Sequence, residues 1–239
     1  MMASFLLVHG SFCRRWIWRS TAAALTAGGH RVEALDLPSS GTDRTALGGL
    51  QEDVDTVRRA LEAWGTDVVL VGHSAGGLVL VELADHPAVR HSVFVASLRP
   101  QPGQSVEGML GGQIPPWMAV SPEEGVVRVS DDPEVVRAAL CADVEKERFL
   151  RDVYPRYVPT AQKFFADNCS APTARHETTY IICEQDQAVP VAVQQALAAS
   201  ADHVERLPSS HSVLLSMPER LAQVLESAAA NGFPPSHAG

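Results

Sequence analysis

The chain reads as an α/β protein: a three-layer α/β/α, doubly wound and mainly parallel sheet carrying an inserted cap. Three observations predict this. Strand-like and helix-like segments alternate over most of the 239 residues. A β-branched apolar run, Val68-Val69-Leu70-Val71, passes through Gly72-His73-Ser74-Ala75-Gly76 directly into the helix-compatible stretch 78–84. Between Arg99 and His176 the alternation stops and prolines cluster, a stretch too long for a plain connection in a compact domain.

Taken in order, residues 4–8 predict the first strand, and 16–27 a helix that Gly28-Gly29 terminates. A second strand follows at 30–37, then a helix at 51–64 with apolar residues at helical spacing. The strand ending at Gly72 and its helix come next, then a strand at 91–96. After the interruption the rhythm resumes: strand 178–183, helix 191–200, strand 203–207 and a last helix at 218–230. Residues 1–98 and 176–231 therefore form the expected core, 99–175 a cap over the carboxyl ends of the strands, and 232–239 a fraying tail rich in Pro, Gly and Ser. Within the cap, the helical patterns from 133 to 168 are expected to run without an intervening strand.

Composition narrows the classes of function. Apolar residues make up 46% of the chain, but their runs are too short to cross a bilayer. The amino-terminal residues lack the basic and apolar stretches of a secretory signal, so a cytoplasmic location is expected. A formal charge of −9 disfavours nucleic acid and anionic membranes as partners and mainly aids solubility; the partner expected from the chemistry below is a small-molecule substrate. Cys13, Cys141, Cys169 and Cys183 are scattered, with no C-x-x-C and no paired histidines, so free thiols and no metal are expected.

The pattern G-x-S-x-G on a strand-to-helix turn exposes a serine hydroxyl, with the new helix aiming its first amides at developing negative charge. Such a hydroxyl needs a base, and the base an orienting carboxylate, in the order Ser, Asp/Glu, His. His211 lies just beyond the last strand, where the other histidines are misplaced; His73 is read as structural, pointed elsewhere by its place on the elbow. For the acid, the strand ending at Cys183 runs into Glu184-Gln185-Asp186, and Asp186, further along the turn, is favoured over Glu184. Oxyanion-binding amides are expected from Ala75 and from Ser11, with Gly10 permitting the turn that aims Ser11 inward. Asp36 reads as a turn residue. Phe12, Trp117, Met118, Phe164 and Phe165 either wall an apolar pocket or pack the cap; Phe12, Trp117 and Phe164 are the substrate-contact candidates.

At this point the chain resembles the α/β-hydrolase superfamily, and within it the plant methylesterase and hydroxynitrile lyase branch with its bacterial relatives. The resemblance lies in Phe5 to Gly10 with Trp16-Ile17-Trp18, Ala34 to Asp43, Val71 to Gly77, Tyr180 to Asp186 with Pro190, and His211-Ser212 followed by Ser216 to Glu219. It implies Ser74 as nucleophile, Asp186 as acid, His211 as base, no cofactor, and a homodimer. Hydroxynitrile lyases of this branch carry threonine and lysine where this chain has Gly10 and Ser212, so cyanogenic activity is not expected. A serine at the elbow also argues against dehalogenase and epoxide hydrolase chemistry.

The expected function is thus a serine hydrolase cleaving a small or medium apolar carboxylic ester or lactone through a Ser-His-Asp triad and an acyl-enzyme. The alternatives are a non-hydrolytic lyase or cyclase of a biosynthetic pathway, and a ligand-binding receptor with vestigial catalysis.

Overall fold

Alternation of side chains along each strand divides the core into two layers. In the computed structural model, which describes residues 2–231, nine strands form in chain order. They are β1 (Ser4–Val8), β2 (Arg31–Ala34), β3 (Val68–His73), β4 (Val89–Val95), β5 (Met118–Ser121), β6 (Val126–Val129), β7 (Thr160–Ala161), β8 (Glu177–Cys183) and β9 (His203–Leu207). Six of them pair in the order β2-β1-β3-β4-β8-β9, every pair parallel. Phe5, Leu7, Val69, Val71, Val93 and Val95 face one layer, whereas Leu6, Val8, Leu70 and Phe94 face the other.

Helices cover both faces. On the first lie α1 (Arg19–Ala27) and, at the carboxyl end of the chain, a helix over Pro218–Asn231, contributing Leu25, Leu221 and Leu225. On the second lie α2 (Leu50–Trp64) and α3 (Gly77–Glu82), contributing Val54, Val57, Leu61, Leu78 and Leu80. The edge strands β2 and β9 are the more exposed, as lone neighbours on one side require. β2 is also shorter than the pattern predicted. Its register with β1 ends at Ala34, and the Leu37 amide leaves the ladder to donate to the His9 imidazole.

From β1 the chain pairs β2 on one side and β3 on the other, so the strand order reverses there. A crevice outside the carboxyl ends of β1 and β3 follows from that reversal. The loop after β1 and the turn after β3 both open into it.

The excursion between β4 and β8 departs from expectation. It holds α4 (Val106–Met109), α5 (Pro133–Leu140) and α6 (Gln162–Ala166), but also an antiparallel sheet, β5-β6-β7. The helical run expected from 133 to 168 is broken by β7, whose two residues pair with Val126 and Val127. Two residues are too few to show any period in a sequence. Thr160 of β7 also ties the excursion to the core: its hydroxyl accepts the Phe12 amide at 2.8 Å and bonds the Ser40 hydroxyl at 2.8 Å. The four cysteines are buried and free. No helix among the described residues is long and apolar enough to cross a membrane. Residues 232–239 of the expected tail lie outside the described residues.

Candidate active site

Ser74 sits where β3 turns into a single helical turn and then α3, and its own backbone is left-handed, with φ +54°. A non-glycine residue in that region is strained, and the surroundings must hold it there. Its carbonyl is anchored by the Leu98 amide at 3.0 Å and the Ser97 hydroxyl at 2.7 Å. The flanking glycines are needed for room. A Cβ on Gly76 would stand 2.7 Å from the His9 carbonyl oxygen, and one on Gly72 2.7 Å from the Leu80 side chain.

Asp186, at the carboxyl end of β8, is almost wholly buried and accepts four hydrogen bonds. The Ala188 and Val189 amides donate to Oδ1 at 2.8 and 3.0 Å, and the Gln194 amide to Oδ2 at 3.0 Å. The fourth comes from His211, whose Nδ1–H donates to Oδ2 at 2.7 Å. Glu184, its rival in the sequence, is exposed at the surface, 3.8 Å from Arg206.

The His211 loop is fastened from the excursion as well. Asp143, just after α5, accepts from the Ser209 hydroxyl at 2.9 Å, the Ser210 amide at 3.0 Å and the Ser210 hydroxyl. Against the opposing effect of partial burial, these bonds hold the Asp143 carboxyl below the usual carboxylate range. The Ser212 amide donates to the Leu140 carbonyl at 2.9 Å.

Ser74 and His211 border one cavity of about 70 Å3, together with Ser11 and Ala75. In this structure no hydrogen bond joins the Ser74 hydroxyl to the imidazole; catalytic bonds are often long before substrate binds. Phe12, Trp117, Met118 and Phe165 also wall the cavity. Phe12 stacks on Phe165 at 5.9 Å and meets Trp117 edge-on at 6.0 Å.

Residues 5–224 match the model of the alpha/beta hydrolase family. The chain belongs to the alpha/beta hydrolase family. It is similar to Methylesterase 7 of Arabidopsis thaliana, 30% identical over 92% of this chain and 94% of that protein. It is also similar to Norfluorocurarine synthase 1 of Strychnos nux-vomica, 26% identical over 93% of each. Among solved structures, a pyrethroid hydrolase from Sphingobium faniae JZ-2 superposes with a TM-score of 0.83 at 22% identity, covering 96% of this chain and 98% of that one. That likeness is one of fold.

Within this alpha/beta hydrolase, three expectations change. Phe164 does not line the cavity. It is buried, edge-on to Phe165 at 5.8 Å, and Phe165 takes the wall position, because neighbours on a helix point about 100° apart. The left-handed residue of the first loop is Phe12, φ +65°, and not Gly10. Gly10 is required for close approach: a Cβ there would lie 2.7 Å from the Ser74 Cβ and 3.0 Å from the His73 carbonyl. His73, expected to point elsewhere, borders the cavity and packs on His211, ring centroids 4.6 Å apart. Its Nε2–H donates to the His211 carbonyl at 3.0 Å, and burial foremost, with the neighbouring His211 adding to it, holds its pKa well below the ordinary histidine range. Asp36, read as a turn residue, lies instead in an irregular stretch just before the turn at Pro38-Ser39, where it accepts the Arg15 amide at 2.7 Å and pairs with Arg14 at 3.1 Å.

Four contributors carried no sequence signal that singled them out. Gln194 lies in the helix over Val191–Ala198, and its Nε2 also donates to the Val189 carbonyl at 2.7 Å. His9 donates from Nδ1 to the Gly10 carbonyl at 2.8 Å and accepts the Leu37 amide at Nε2, 3.1 Å, which makes it a neutral imidazole of one tautomer. Burial pushes its pKa down to about 4. Asp143 is the third. Tyr157, in an irregular stretch, is the fourth; it walls the cavity with its hydroxyl 3.6 Å from the Cys141 sulfur.

Proposed function

We propose that this hydrolase is a serine carboxylesterase for small or medium, largely apolar esters or lactones. The buried bond from His211 to Asp186, opening onto the cavity that Ser74 shares, is the observation that carries the reading. Asp186 accepts at Nδ1–H, so the other ring nitrogen of His211 is left free to take a proton. Ser74 Oγ attacks the ester carbonyl as that nitrogen takes its hydrogen. The Ser11 and Ala75 amides bind the oxyanion, and the protonated imidazole then gives its proton to the leaving alcohol. Water, activated by the same nitrogen, releases the acid and restores Ser74. The mostly apolar walls favour apolar substituents on either side of the ester.

The test is release of p-nitrophenol from a panel of p-nitrophenyl esters by the wild-type protein and by Ser74→Ala. Turnover lost with Ser74, together with fluorophosphonate labelling of the wild type alone, supports the reading. No turnover and no labelling would remove it. Similarity to a protein named as a synthase supports a second reading, in which the same groups shuttle a proton or polarise a carbonyl without hydrolysis. Fluorophosphonate labelling at Ser74 without ester turnover would favour that one.

A further inference from the structure

Next to the cavity at Ser74 lies a second, larger one, and the two share walls. The inner cavity measures about 70 Å3. The outer one measures about 260 Å3 and is bounded by Leu110, Met118 and Phe165, each of which also borders the inner cavity. Its other apolar walls include Val120 of β5, Val127 of β6 and Ile114. Ile114 is 52% exposed, a large apolar side chain left facing water at the rim of an apolar cleft.

The three shared side chains are not equally braced. Met118 is held by β5 pairing with Val129, and Phe165 by stacking on Phe12. Leu110 follows α4 and precedes Gly111 and Gly112, both left-handed at φ +61° and +74° with no atom within 4 Å of where a Cβ would stand. Its backbone is thus followed by two residues with wide conformational freedom and open space around them.

We propose that the two cavities are one bipartite substrate site. The ester carbonyl and a small substituent occupy the inner chamber, and a long or bulky apolar substituent passes Leu110 into the outer one. This rests on the esterase reading and adds to it the substrate class, an ester with one small and one extended apolar branch. Leu110, Met118 and Phe165 then set the branch length at which specificity changes.

The experiment compares kcat/KM for methyl decanoate and decyl acetate with that for methyl butyrate, by pH-stat, in wild type, Val120→Trp and Leu110→Ala. Each buried methylene is worth about fourfold in affinity. Filling the outer chamber with the indole of Val120→Trp is expected to cut the long-to-short ratio roughly tenfold or more, and Leu110→Ala to raise it. Ratios unchanged in both variants overturn the proposal, and Leu110→Ala decides alone if Val120→Trp does not fold. A second arm needs no turnover: calorimetric binding of 2-undecanone and 2-pentanone to Ser74→Ala, with and without Val120→Trp. Selective loss of the longer ketone supports the bipartite site, and equal loss or no loss of the two overturns it. If the wild type cleaves no ester, the esterase reading fails while this arm still decides the site. Cleavage of short esters with no change in either ratio or binding sinks the site and leaves the esterase standing.

Discussion

Replacing Asp186 by Asn changes one atom and tests the orientation of the base. Oδ1 accepts two backbone amides and Oδ2 accepts His211 and Gln194. An asparagine keeps its oxygen toward the Ala188 and Val189 amides, since turning it would set its NH2 against both. The new amide nitrogen then faces the Nδ1–H of His211 and the Nε2–H of Gln194, two donors against a donor. His211 relieves its own conflict by moving its proton to the other ring nitrogen, which then faces the cavity as a donor and accepts nothing from Ser74. In serine hydrolases that wrong tautomer costs kcat about 10⁴-fold, and a loss of that order is expected here. In stability, one charge-assisted bond is recovered as a neutral one and the Gln194 bond is lost, for a net cost of about 2–3 kcal/mol. That corresponds to a Tm lower by roughly 5–10 °C in a chain of this size. Ester turnover, the rate of fluorophosphonate labelling and a thermal melt measure the three quantities. Turnover and labelling within tenfold of wild type in a folded Asp186→Asn protein would falsify the assignment of Asp186 as the orienting carboxylate.

Three further outcomes follow from the same packing. Gly10→Ala forces a methyl to 2.7 Å from the Ser74 Cβ, so about 1–3 kcal/mol of stability and most Ser74 labelling should be lost; wild-type labelling would show that the loop yields freely. Asp53 of α2 is raised by burial from 3.8 to about 7 while its carboxylate accepts the Ser39 amide. The folded state holds that proton more tightly than the unfolded one. Its contribution is therefore full below pH 3.8 and is lost as pH rises through 7, so Asp53→Asn should narrow the Tm difference between pH 5 and pH 8, and an unaltered difference counts against it. His9 has the opposite sign. Its pKa falls from 6.5 to about 4, so its contribution is present above 6.5 and lost as pH falls toward 4. His9→Phe should remove that acid limb and strand the Gly10 carbonyl and Leu37 amide, each at about 1–3 kcal/mol, with a Tm equal to wild type at pH 7 as the contrary result.

The legible regions of this protein are those written over a few neighbouring residues. The run into Ser74 is local, because a buried strand, a tight turn and a helix start each leave a mark within four or five positions. Asp186 was placed by the same logic, just beyond the apolar strand β8, whereas His211 was placed only by its position after β9, in which Val204 and Leu207 are the apolar residues. Legibility failed where elements are short or the cause is remote. Five residues of α6 carry too little period to say which of Phe164 and Phe165 faces the cavity. The left-handed residue in the first loop is Phe12, whose amide donates to Thr160, far along the chain. Gln194 has no mark of its function other than its distance from Asp186, which no pattern records.

Residue order alone determined the alternating parallel sheet, the strand-to-helix turn at Ser74 and the strand ends that present an acid and a histidine, since backbone propensity and apolar period act at short range. Only the tertiary structure decided that Asp143 of the excursion fastens the His211 loop, that His73 packs on His211, and that Leu110, Met118 and Phe165 stand between the inner and outer cavities. Those relations are distances between segments brought together by packing, and packing is a property of the whole core.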